Sequence, residues 1–211
     1  MALHKRRRGK SDFWLLCILV ILLVTNAAIV LARQTGSSLP AAQVELPEYV
    51  QIKYIVKNPY SRCGEPLEKI RGVVIHYVGN PGSSARANRN YFNNLALTHE
   101  TYASSHFVVG LEGEVIACVP LTEISYASNE RNGDTVAIEV CHPDAEGKYS
   151  EVTYERVVEL AAWLCETFDL EPAEDVIRHY DVTGKICPKF YVENPAAWET
   201  LKADIAAEMG E

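Results

Sequence analysis

Twelve consecutive residues, Ile177-Arg178-His179-Tyr180-Asp181-Val182-Thr183-Gly184-Lys185-Ile186-Cys187-Pro188, put an imidazole, a carboxylate, an ammonium and a thiol into one short stretch. His179 and Cys187 stand eight positions apart, with Gly184 and Pro188 shaping the chain between them. Neutral imidazole and thiolate are ligands that zinc prefers, and a loop of this length can fold both onto one ion. Two ligands do not hold a catalytic zinc, which takes three from the protein and leaves a fourth position for water. His76, at the end of the apolar run Val73-Val74-Ile75-His76-Tyr77-Val78, is the candidate for the third. A lone histidine after such a run is also commonly a hydrogen-bonded core residue. The zinc reading is therefore a His76/His179/Cys187 site with one open position.

Zinc with an open position acidifies its bound water and polarises a carbonyl. Amide hydrolysis then needs a group to take the water's proton and hand it to the leaving amine, and positive charge near the developing oxyanion. Glu139 suits the proton transfer. It faces away from Ile138 and Val140 in an otherwise apolar run, where a carboxylate without a role is costly. Lys185, between two proposed ligands, suits the oxyanion. The plainer readings are a salt-bridged edge-strand glutamate and a solvated loop lysine. A different chemistry is a cysteine hydrolase with Cys187 as nucleophile and His179 as base, which leaves His76 idle. His106 opens a strand and is a candidate pocket residue. His99 and His142 read as loop residues, and His4 lies in a basic tail. Asp181 suits a turn, accepting backbone N–H bonds.

Different elements must carry these groups. Lys5, Arg6, Arg7, Arg8 and Lys10 precede the uncharged segment 13–32, whose 20 residues suffice to cross a bilayer as a helix. Basic residues before it keep that side cytoplasmic, so 1–12 read as a cytoplasmic tail, 13–32 as a transmembrane anchor and the remainder as extracytoplasmic. Cleavage as a signal peptide near Ala27 and Ala28, giving a secreted protein, is the alternative. The chain carries 20 Lys/Arg against 28 Asp/Glu, a net charge of −8, and beyond residue 32 acids outnumber bases 27 to 15. That balance argues against nucleic acid as a partner. Cys63, Cys118, Cys141 and Cys165 read as small buried residues, disulfides among them being the alternative.

Residues 33–50 read as a linker, and 51–211 as one domain large enough for a real core. Strands are expected over Gln51–Val56, Gly72–Val78 and Asp134–Cys141, with a hairpin from Ser105–Val109 and Glu114–Val119. Gly72–Val78 is apolar on both faces, as in a strand interior to a covered sheet. Helices are expected from Ser83 or Ser84 to about Leu95, over Glu151–Leu170 with Thr153 as a weak cap, and over Pro195–Met209. Strands mixed with helices make an α/β domain around a mostly interior sheet.

Val74-Ile75-His76-Tyr77, Ser104-Ser105-His106-Phe107-Val108-Val109, Gly113-Glu114-Val115-Ile116, Val136-Ala137-Ile138-Glu139-Val140 and the segment from Arg178-His179-Tyr180-Asp181 to Lys185-Ile186-Cys187-Pro188 occur in one order. In this the chain resembles the zinc-dependent N-acetylmuramoyl-L-alanine amidases of the type-2 family, relatives of the peptidoglycan recognition proteins, over roughly residues 70–205. The resemblance implies a mixed central β-sheet flanked by helices. It implies zinc held by His76, His179 and Cys187, with Glu139 acting on the water and Lys185 supporting the oxyanion. It implies peptidoglycan as partner, cut between the lactyl group of N-acetylmuramic acid and L-alanine. A non-catalytic peptidoglycan receptor on the same fold is the competing reading. The apolar segment 13–32 lies outside the resemblance, so attachment to the membrane rests on hydropathy alone.

Overall fold

The structure, a computed structural model, describes residues 40–210. The basic tail, the apolar segment 13–32 and the first part of the expected linker lie outside the described residues. Among the described residues no helix is long and apolar enough to cross a membrane.

Strands β1 (Val50–Ile52), β2 (Val73–Tyr77), β3 (Phe107–Val109), β4 (Val115–Ala117), β5 (Val136–Val140) and β6 (Val176–Arg178) form one six-stranded sheet in the order β1-β4-β3-β5-β2-β6. Neighbours run parallel except β3 and β4, which are antiparallel. That pair is the expected hairpin. Gly113 turns it with a φ of 76°, a region that glycine enters without steric cost. The helices are α1 (Ala85–Thr98), α2 (Glu151–Phe168), α3 (Pro172–Asp175), α4 (His179–Thr183), α5 (Lys189–Glu193) and α6 (Pro195–Glu208).

Alternation along the strands sorts their side chains between two faces. Val73 and Ile75 of β2, Val136, Ile138 and Val140 of β5 and Phe107 and Val109 of β3 point to one face. There they pack with Val157, Leu160, Ala161 and Leu164 of α2 and Leu201 and Ile205 of α6. Each such aliphatic side chain, fully buried, contributes about 1.5–3 kcal/mol. Helix α2 shows the expected periodic stripe, but its cap is Ser150, whose Oγ accepts from Thr153 N–H. Thr153, the expected cap, is buried instead and donates its hydroxyl to Gly110 O at 3.0 Å.

The other face is covered unevenly. Helix α1, capped by Ser84, lays Ala85 and Phe92 near Val108 of β3 and Ile116 of β4. Among the described residues no long helix covers β2 on this face. A 3-10 turn at Asn129–Arg131 and the short α4 pack against each other there, and α4 also touches β2. Polar side chains can therefore point out of this half of the sheet.

The packed domain begins before residue 51. Ala41, Val44 and Leu46, from the stretch expected as linker, lie against the core, and Val50 opens β1. Cys118, Cys141 and Cys165 are buried and free, in keeping with the reading as small buried residues; Cys63 departs from it, being free and exposed, and Cys187, the expected ligand, is buried.

Candidate metal centre

Sheet register builds the site. His76 of β2 lies opposite Glu139 of β5, and Glu139 lies opposite Val108 of β3. On its other side β2 pairs with β6 up to Ile75 opposite Arg178, so the next residue, His179, falls beside His76. The two imidazole rings stand 4.6 Å apart between centroids. Glu139, His76 and His179 thus form one row on the face that α1 leaves open. A slip of one residue in either pairing would send a member of the row to the opposite face.

The stretch expected as a plain loop after His179 is a one-turn helix followed by a return. Asp181 Oδ2 accepts from Arg178 N–H at 2.8 Å, and its other oxygen pairs with the Arg178 guanidinium at 2.7 Å, which fixes where α4 starts. Gly184, with a φ of 75°, ends the helix by donating its N–H to Tyr180 O at 2.8 Å. This left-handed stop suits glycine. The chain then doubles back until Tyr180 N–H meets Cys187 O at 2.9 Å. Cys187 Sγ comes to 3.9 Å from His76 Nδ1. Ligand atoms of His76, His179 and Cys187 all lie within 4.8 Å of one another. Zinc–ligand bonds at tetrahedral angles separate ligand atoms by roughly 3.3–3.8 Å, so small side-chain shifts close these three on an ion. Two imidazoles and one thiol also suit zinc chemically and leave a fourth position open.

One ring nitrogen of each histidine is held by one of two consecutive residues. Ser128 Oγ lies 3.1 Å from His76 Nε2, and Asn129 Oδ1 lies 3.1 Å from His179 Nε2. With Asn129 Oδ1 as acceptor, His179 would carry its proton on Nε2 and offer the Nδ1 lone pair. The turn is itself braced: Asn132 Oδ1 accepts from Ala127 N–H at 3.1 Å and Ser128 N–H at 2.6 Å. Asn129 holds a left-handed φ of 52°. Sequence reasoning missed both residues, placing Asn129 in an ordinary polar loop, because nothing local links them to histidines some fifty residues away. Replacing Asn129 by glycine keeps the backbone conformation and removes the amide. Zinc affinity measured by chelator competition is expected to fall roughly 10–100-fold, and unchanged affinity would mean that the turn does not orient His179.

Burial shapes the charge states here. His76 is held well below the ordinary histidine range by burial, with the adjacent His179 and the Lys185 ammonium adding to the effect. His179 is lowered by burial and by Lys185. Both rings are thus neutral, as ligands must be. Burial and the Glu139 carboxylate push the Cys187 thiol up to about 12. Burial raises Glu139 to about 8, against the pull of Lys185. Glu139 Oε2 is sealed from solvent and has no hydrogen-bond partner among the described residues. Lys185 is exposed, yet its charge is felt by all four groups. The structure therefore brings together all five residues singled out from the sequence. A concavity of about 630 Å³ is lined in part by Asp144, Lys148, Tyr154 and Tyr191, and none of the five lines it.

His106 corrects the sequence reading, which made it a candidate pocket residue. It is fully buried. Its Nδ1 accepts from Ala137 N–H at 3.0 Å, and its Nε2 donates to Glu123 O at 2.9 Å, so it is a neutral strut between strand and loop. Burial, partly opposed by the Glu123 bond, lowers it from 6.5 to about 4. As pH falls the unfolded chain takes up the proton first. His106 therefore withdraws stability between pH 6.5 and 4, by about 3 kcal/mol in all, and has no such effect above 6.5. Urea unfolding at pH 7 and near pH 4.5 should show a smaller acid loss in His106→Gln than in the native chain. Equal losses would place the acid sensitivity elsewhere.

Known proteins share this arrangement of elements. The family model described as N-acetylmuramoyl-L-alanine amidase matches residues 66–190, a span that holds all five residues. The chain is 32% identical over 176 residues to the N-acetylmuramoyl-L-alanine amidase BlyA of Bacillus subtilis (strain 168), covering 74% of this chain and 46% of that protein. It is 31% identical over 174 residues to the N-acetylmuramoyl-L-alanine amidase CwlL of Bacillus licheniformis, covering 75% and 47%. The chain thus spans about half the length of the curated relatives it matches. The structure superposes on the catalytic domain of XlyA with a TM-score of 0.62 at 24% identity, covering 74% of this chain and 98% of that one. A mutant endolysin from Bacillus subtilis gives 0.62 at 25% identity, covering 74% and 97%. The fold, the ordered motifs and the length of the match lead to one conclusion: the chain belongs to the N-acetylmuramoyl-L-alanine amidase family.

Proposed function

We propose that this domain hydrolyses the amide between the lactyl group of N-acetylmuramic acid and L-alanine of peptidoglycan, with zinc held by His76, His179 and Cys187. The observation that carries the proposal is the meeting of three zinc-type ligands with a buried, unpartnered carboxylate in one row of the sheet. Zinc held there supplies Lewis acidity, which activates water and polarises the scissile carbonyl. Glu139 takes the proton of the attacking water and passes it to the departing alanine nitrogen. Burial raises its proton affinity, and a zinc ion held beside it would oppose that effect, favouring the carboxylate that takes the proton. Lys185 brings positive charge to the oxyanion side.

The cysteine-hydrolase reading is disfavoured by the state of Cys187. A thiol pushed up to about 12 by burial and a neighbouring carboxylate stays protonated at neutral pH and is a poor nucleophile. The purified chain incubated with cell walls tests the proposal. New N-terminal alanine is expected, abolished by a chelator and restored by zinc. Activity that survives the chelator would return the thiol mechanism. No alanine, with muropeptide binding intact, would make the protein a receptor.

A further inference from the structure

Four aromatic rings gather where the segment leading into the Ser128–Asn129 turn meets the surface. Tyr60 stacks on His99 with centroids 4.3 Å apart and planes 13° apart, and on Tyr102 at 5.2 Å and 30°. Tyr102 meets Tyr126 edge-on at 5.9 Å. Tyr102 is 63% exposed. His99 is exposed as well, while Tyr60 and Tyr126 are half-buried beneath them; contacting rings that reach solvent in this way point to recognition more than to stability.

The rings come from three separate segments, which backbone hydrogen bonds fasten together. Ala103 N–H donates to Tyr60 O at 3.1 Å, Ser104 N–H to Tyr126 O at 3.1 Å, and Tyr126 N–H to Ser104 Oγ at 2.9 Å. Asn58 Oδ1 accepts from Tyr60 N–H at 2.8 Å and from Ser61 N–H at 3.0 Å, holding the first ring on a tight turn. His99 ends α1 with a left-handed φ of 55°, and its Nε2 lies 2.9 Å from Ala96 O. Rings held this way lose little further freedom when a ligand arrives.

The column is tied to the candidate metal centre through one chain segment. Tyr126 is two residues before Ser128, whose Oγ lies 3.1 Å from His76 Nε2. Two residues span at most about 7 Å, so the last ring of the column and the ligand-bracing turn belong to one short segment. The column consists of three phenols and an imidazole: flat apolar faces edged by polar groups. A pyranose ring is the complement. Its face of C–H bonds suits the electronegative face of an aromatic ring, and its equatorial hydroxyls suit the polar edges.

We propose that the column of Tyr60, His99, Tyr102 and Tyr126 is a glycan subsite that stacks on a sugar of the strand beyond the muramic acid whose amide is cut. This rests on the amidase reading above. The test compares the full chain with Tyr102→Ala on two substrates, soluble polymeric glycan carrying stem peptides and a single disaccharide-peptide. On the polymer, KM is expected to rise roughly 3–10-fold with kcat kept, the size of one aromatic contact. On the disaccharide-peptide KM should rise less, because that substrate offers the rings fewer sugars. Tyr102→Phe, which keeps the ring, should restore the KM. Equal effects on both substrates, or none on the polymer, would overturn the subsite. Binding of glycan strands stripped of peptide to the Glu139→Gln chain gives a second measurement, and Tyr102→Ala in that background should weaken it by the same factor. Binding that does not weaken also overturns the proposal. If the native chain releases no alanine from either substrate, the amidase reading fails, and the stripped-glycan measurement still decides whether the rings bind sugar.

Discussion

Exchange of Glu139 for glutamine is expected to lower turnover by roughly 10²–10⁴-fold, the range for loss of an acid–base group. Zinc content should stay as it is in the native chain. The substitution keeps the size of the side chain and removes only its ability to take a proton. Glu139 projects from β5 opposite His76, yet it is not among the three residues whose ligand atoms cluster. Its Oε2 has no hydrogen-bond partner among the described residues. Replacing a buried carboxyl that has no hydrogen-bond partner at Oε2 should leave the melting temperature unchanged or raise it, so stability and activity should move apart. Turnover within about threefold of the native chain, or loss of the metal, would remove Glu139 from the role assigned to it.

Cys187→Ala is expected to act through the metal. Two histidines remain, too few for a catalytic zinc site, so zinc should be lost and activity with it. Metal that binds only the folded chain stabilises it by an amount that grows with occupancy, about 2.7 kcal/mol when free zinc is about 100 times its dissociation constant. Adding zinc to metal-free native protein should therefore raise the melting temperature, while the same addition to Cys187→Ala should leave it where it was. The two variants form a pair with opposite signatures, metal kept and chemistry lost against metal lost and fold weakened. Should Cys187→Ala keep zinc and activity while Glu139→Gln sheds the metal, ligand and base would have to be exchanged.

Several elements were legible because their causes are local. Strands β2 and β5 show apolar residues on both faces, and α2 repeats Val157, Leu160, Ala161 and Leu164 at helical spacing. The hairpin follows from its short turn at Gly113. What failed depended on contacts rather than on pattern. Helix α4 has only five residues, too few for a period, and exists because Asp181 and Gly184 close its two ends. Thr153 looked like a cap, but the choice between it and Ser150 depends on where the chain enters the helix. His106 looked like a pocket residue because it opens a strand; its true partners, Ala137 and Glu123, come from elsewhere in the chain.

From the sequence by itself came the ligand types, the spacing of His179 and Cys187, the alternation that sets Glu139 apart from its apolar neighbours, and the ordered motifs that mark the family. These depend on residue identity and on periods of about two or 3.6, which a linear chain carries in full. Tertiary structure alone decided that β5, β2 and β6 lie side by side, in the register that lines up Glu139, His76 and His179. It also decided that one turn at Ser128 and Asn129 holds both imidazoles, and that Glu139 Oε2 is left without a partner among the described residues. The reason is physical. Strand order, register and the meeting of side chains separated by fifty or more residues are set by which faces bury together and by where backbone hydrogen bonds find partners. Neither is a property of any one segment.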